Sequence, residues 1–132
     1  MDKKFLLTFI VVFVVSMILG FITHGWALMD EYNATGIYRT EEAQQDLMMW
    51  MLLAHVIMAF AFVKLYAGGR EDKPWLGQGL RFGFYFGLFA AVGIYMIFYV
   101  VLPMPEMLAF RQAAYDLINM MVLGAVTAWM YR

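Results

Sequence analysis

Hydrophobic residues in this chain are gathered into four long runs, at about 5–29, 47–66, 82–102 and 108–131, with short polar segments between them. An α-helix rises 1.5 Å per residue, so each run is long enough to cross a hydrocarbon layer about 30 Å thick. The pattern predicts an all-α, polytopic membrane protein: one transmembrane domain over residues 1–132, folded as a four-helix bundle with no soluble domain. The first run follows Lys3 and Lys4, as a cleaved signal would. Its apolar stretch exceeds the usual 7–15 residues and no A-x-A-like site follows, so it is expected to remain as a helix.

The charges between the runs orient the chain. Lys3, Lys4, Lys64, Arg70, Lys73, Arg81 and Arg132 fall on one side, and only Arg39 and Arg111 on the other. Positive residues concentrate on the cytoplasmic side, which places both termini and the 67–81 loop there. The 30–46 loop and the 103–107 turn then face outward. Thr40 is expected to cap the second helix, with Glu41 and Glu42 in its first turn. Tyr32, Tyr38, Trp50, Trp75 and Trp129 fall near the boundaries, as interfacial aromatics do. Asn33-Ala-Thr35 matches a glycosylation sequon, a pattern too common to weigh.

Composition narrows the chemistry. Hydrophobic residues make up 64% and charged residues 14%, against about 25% charged in a soluble domain. The net charge of −1 gives no basic field for nucleic acid. With no cysteine, disulfides, thiolate metal sites and cysteine nucleophiles are excluded. The glycines of the 67–81 loop lack the spacing and the GK[ST] of a phosphate-binding loop. No nucleophile–base pair can be placed either, so an enzyme is the least supported class.

The third run carries Gly79, Gly83, Gly87 and Ala91 at four-residue spacing. Small residues at that step form a groove in which another helix can approach closely. Packing within the bundle is the first expectation; a homodimer face or the docking groove of a larger membrane partner is the second.

The informative residues are those that resist burial in lipid: His24 in the first run, His55 in the second, Asp116 and Asn119 in the fourth, with Tyr95 and Tyr99 in the third. From the helical rise, His24 and Asp116 lie roughly 6 Å, Asn119 roughly 10 Å and His55 roughly 12 Å below the outer boundary. Ser16, Gly20, Thr23 and His24 share one stripe of their helix, and Gln112, Asp116, Asn119 and Thr127 share one of theirs. A carboxylate at the bilayer centre costs several kcal/mol, so Asp116 needs a partner or stays protonated. His24 or His55 is the natural partner, and Arg111 another.

This cluster admits several readings. The plainest is polar glue between helices. A second is a metal or haem site: two imidazoles and a carboxylate, His24, His55 and Asp116, suit a transition metal, and His24 with His55 would supply axial haem ligands. A third is passage of a proton or small solute, since a buried His–Asp pair exchanges protons near neutrality, although the inner half offers only Ser16, Thr127 and Lys64 as a path. Six of the 13 methionines (Met29, Met48, Met49, Met51, Met104 and Met107) gather near the outer boundary. Thioethers bind Cu(I), but packing ranks first for so flexible a side chain. The leading expectation for the whole chain is a non-enzymatic accessory or assembly partner acting through helix packing.

The segments LGFITHG with Tyr32 after it, WMLLAHV, EDKPWLGQGLRFG, Tyr95–Tyr99 through Pro103-Met-Pro105, and AWMYR with Asp116 upstream span nearly the whole chain. In them the chain resembles a group of small four-helix bacterial inner-membrane proteins of unknown function. The resemblance implies a multi-pass bacterial inner-membrane protein and the four-helix count, and implies no activity.

Overall fold

In a computed structural model, which describes residues 2–132, the elements are all helices joined by short connections, and no strand occurs among the described residues. Helix α1 (Lys3–Gly20) continues through a π-helical segment, Phe21–Ala27. Two short helices follow, α2 (Met29–Thr35) and α3 (Glu41–Gln45), and then the long α4 (Met48–Gly69). Helix α5 (Trp75–Gly87) runs through a second π-helical segment, Leu88–Gly93, into α6 (Ile94–Val101), and α7 is Glu106–Tyr131. Four continuous helical stretches, Lys3–Ala27, Met48–Gly69, Trp75–Val101 and Glu106–Tyr131, are long and apolar enough to cross a membrane.

Local chemistry sets the ends. Asp2 caps α1, its carboxylate accepting from the Phe5 amide at 2.7 Å. Gly36, at φ +68°, closes α2 in the left-handed conformation that a side chain would oppose. Thr40 does act as a cap, accepting from Ala43 N at 3.4 Å. The helix it caps is the one-turn α3; a turn at Asp46–Leu47 separates this from α4, so the expected open loop 30–46 holds two helices.

The third long helix starts at Trp75, seven residues before the expected 82, so that Gly77 and Gly79 of the expected 67–81 loop lie inside it. Pro74 precedes its first turn, where a missing N–H costs nothing. Gln78 then clasps the loop: its Oε1 accepts from Glu71 N at 2.6 Å and its Nε2 donates to Glu71 O at 3.1 Å.

Helix α1 packs against α4 and α7, and α7 against α1 and α5. The α4–α5 side is closed by aromatic edges, Phe62 on Phe82 and on Phe86 at 4.9 Å and Tyr66 on Phe82 at 5.3 Å. The tightest contact joins α5 and α7. A Cβ on Gly79 would stand 2.5 Å from the Gly124 carbonyl oxygen, one on Gly83 2.6 Å from Met121 Cα, and one on Gly87 2.7 Å from a Leu117 methyl. The stripe of Gly79, Gly83, Gly87 and Ala91 is buried and is filled by α7 of the same chain, with Gly124 as its counterpart. The groove offered to a partner or a second copy is thus already occupied.

Phe5, Val12, Ala59, Phe62, Val63 and Leu123 form the main core. Leu28, Met104, Leu108 and Ala109 form a second core under α2, with Tyr32 against it. Outside, the surface is apolar: Phe89 is 81% exposed and Val100 82%, with Phe21 and Phe110 also open. Lys4 Nζ bonds the Arg132 carbonyl at 3.2 Å and Arg70 the Tyr131 carbonyl at 3.0 Å, so both ends of the chain and the 70–74 connection share one end of the bundle.

Candidate functional site

Both π-helical segments lie beside the polar cluster. In the first, the Leu28 amide bonds the carbonyl five residues back, Thr23 O, at 2.9 Å. Such wide turns are uncommon and recur at functional sites. This one turns Thr23 and His24 toward α7; the second, Leu88–Gly93, leads directly into the turn that carries Tyr95. Gly20 precedes the first and Gly25 lies in it, and Gly87 precedes the second and Gly93 ends it.

Asp116 on α7 stands at the centre. His24 Nε2 lies 3.0 Å from both of its oxygens. The Tyr95 hydroxyl donates to Oδ2 at 2.6 Å, and Asn119 Nδ2 donates to Oδ1 at 3.2 Å and to Thr23 Oγ1 at 2.9 Å. A carboxyl surrounded by donors in this way has the environment of an ionised, acceptor-only group. Asp116 is mostly enclosed, its side chain 15% exposed, while His24 keeps 33%.

The chain of bonds continues toward α2. His24 Nδ1 lies 2.5 Å from the Tyr32 hydroxyl, and the two rings stack with centroids 5.9 Å apart. Gln112, itself buried, donates from Nε2 to the Tyr32 oxygen at 3.1 Å and to the Tyr38 oxygen at 3.4 Å. With the amide nitrogen toward Tyr32, the phenol's own proton is free to point at His24 Nδ1, and the proton of a neutral imidazole then sits on Nε2, facing Asp116. Burial, the largest influence, pushes the Tyr32 phenol well above the ordinary tyrosine range, so it remains a donor at neutral pH.

His24, Asp116, Asn119, Tyr95 and Gln112 are therefore gathered as the sequence placed them, and His24 is the partner Asp116 requires. Arg111 pairs instead with Glu31 of α2. His55 stands apart. Helix α4 meets α1 one to two turns below His24, so the His55 ring lies over Gly20 and its Nδ1 is 3.0 Å from Ser16 Oγ. The set His24, His55 and Asp116 is not assembled, and among the described residues no three His, Asp or Glu side chains converge as metal ligands. Paired haem ligation meets an obstacle at His24, both of whose ring nitrogens are engaged within the protein.

Tyr99 also lies outside the network. It lines an apolar cleft of about 550 Å³ between α6 and α7 with Tyr95, Ala109, Phe110 and Ala113. Of the methionines, Met104 is buried while Met49 and Met107 are open. Thr127, like Thr8, bonds a carbonyl four residues back in its own helix, at 2.7 Å, and reaches no neighbour. From sequence, Tyr32 and Tyr38 are boundary aromatics, Tyr32 also falling in one of the segments of the resemblance. The fold of α2 over the bundle end makes them part of the site.

Comparison of the chain with protein-family models, with curated proteins and with solved structures finds no match.

Proposed function

We propose that the chain is a four-span integral membrane protein of a bacterial inner membrane, and that its His24–Asp116 couple is the outer proton-binding station of a carrier that passes protons across it. The apolar exterior supports insertion. Both termini lie at the end that carries Lys3, Lys4, Arg70, Lys73 and Arg132, which favours a cytoplasmic position for them. The inner-membrane address follows the resemblance.

The observation that carries the reading is the unbroken chain Gln112–Tyr32–His24–Asp116, which links a mostly enclosed carboxylate to the α2 end through an imidazole, a group that can both accept and donate a proton. Polar glue requires bonds between helices but not a phenol, an imidazole and a carboxylate in series. The class of function is proton-coupled carriage, of protons alone or with a small solute. A role as an accessory partner would need a surface other than the glycine stripe, which α7 fills.

The test is pH-driven flux into liposomes that hold a trapped pH-sensitive dye. The parent protein is expected to dissipate an imposed gradient faster than empty liposomes, and Asp116→Asn to match the empty control. Equal flux through parent and Asp116→Asn, or none through the parent, would overturn the reading.

A further inference from the structure

Gln112 stands out among the buried side chains because its Oε1 has no hydrogen-bond partner while its Nε2 has two. An amide's two ends are almost equal in size, so the group can turn over without displacing its neighbours. Turning it places the oxygen 3.1 Å from the Tyr32 hydroxyl and 3.4 Å from that of Tyr38, and the nitrogen where the oxygen stood. Either orientation leaves one end of the amide without a protein partner, so the amide alone favours neither.

The choice is made at the other end of Tyr32. With the amide nitrogen toward Tyr32, the phenol accepts from Gln112 and donates to His24 Nδ1, and the imidazole is neutral. With a proton added to His24, both ring nitrogens become donors. Nε2–H stays on Asp116, Nδ1–H now points at the Tyr32 oxygen, and the phenol's hydrogen must leave that line. The oxygen of a turned Gln112 is the acceptor within reach. We infer that Gln112 is a positioning residue whose amide orientation is coupled, through Tyr32, to the proton occupancy of His24.

This deepens the proposed proton uptake and rests on it. The added proton also makes the His24–Asp116 pair neutral overall, which an apolar surrounding favours. Nothing else near His24 performs the exchange. Asp116 from α7 and Tyr95 from α6 face its Nε2 side; Tyr32, with Tyr38 beyond it, faces Nδ1; Arg111 and Glu31 are paired with each other; and His55, the titratable group α4 presents, is turned to Ser16.

The experiment is a pH titration of His24 by ¹⁵N NMR on the full chain in lipid bilayers, its signals identified by their loss in His24→Gln. Gln112→Leu removes the acceptor that the charged state needs and leaves a buried phenol hydrogen unpaired. It is expected to lower the proton affinity of His24 about tenfold, with the imidazolium signals appearing only at lower pH. Gln112→Glu keeps an acceptor and is expected to hold the imidazolium to higher pH. In a Tyr32→Phe background the Leu substitution should add nothing. General loosening of the bundle would not move the two variants in opposite directions. A His24 that titrates identically in all of them overturns the inference and leaves proton uptake standing, whereas a His24 that never titrates in the parent overturns both.

Discussion

Substituting Gly83 by Ala tests the α5–α7 contact with a single methyl group. The added carbon would stand 2.6 Å from Met121 Cα and closer still to the Met120 carbonyl. Carbon atoms rest comfortably at about 3.5–4.0 Å, so the helices must part by about 1 Å. Both obstacles are backbone, so no side chain can swing aside to relieve the clash. Overpacking of this kind costs about 1–3 kcal/mol. Here the upper half of that range is expected, because parting the helices at Gly83 also loosens the approach of Gly79 to Gly124. Gly77→Ala is the internal control. A Cβ there meets nothing within 4 Å, and that variant should be as stable as the parent or up to about 0.5 kcal/mol more so. Unfolding in mixed micelles titrated with a denaturing detergent, followed by tryptophan fluorescence, reads both. Equal stability of Gly83→Ala and Gly77→Ala would refute the packing described.

Two further outcomes follow from the geometry. Asp116→Leu leaves the His24, Tyr95 and Asn119 donors without their acceptor and should lower stability by about 2–4 kcal/mol in the same titration; a variant as stable as the parent would mean that these bonds hold nothing together. On the surface, Lys73 holds the Glu71 carboxyl below the ordinary glutamate range by hydrogen bond and charge. A depressed folded-state value means that the pair is formed at neutral pH and lost as pH falls through that value. Lys73→Ala should therefore move the Glu71 titration upward in carboxyl ¹³C NMR, and an unmoved titration would show that the pair does not form.

The four long helices were legible because runs of this length and hydropathy have few alternatives. Their ends were less so: Gly77 lies within α5 although it falls in the expected 67–81 loop, and while four-residue spacing marked Gly79 for close packing, its counterpart Gly124 is a relation between distant segments that spacing in one segment does not display. The site was legible wherever a polar side chain in an apolar run announces itself, as His24, Asp116, Asn119 and Gln112 do. It was hidden where a residue has an ordinary reason to be present. Tyr32 and Tyr38 look like boundary aromatics until α2 folds over the bundle end. His55 was grouped with His24 although the helical rise already set it about 6 Å deeper, and that difference in depth seats its ring against Ser16 and Gly20 of α1. The π-helical segments shift the 3.6-residue stripes on which facing was judged, so residues beyond them could not be assigned a face from periodicity alone.

Infrared difference spectroscopy of the protein in bilayers, between mildly alkaline and mildly acidic buffer, tests the His24–Asp116 couple most directly. With His24 as the group that gains the proton, Asp116 contributes carboxylate bands at neutral pH that vanish in Asp116→Asn, and the acid-induced change lies in imidazole bands that vanish in His24→Gln. A protonated-carboxyl band at neutral pH that disappears in Asp116→Asn would contradict this, because the proton would then reside on the carboxyl and His24 would carry none.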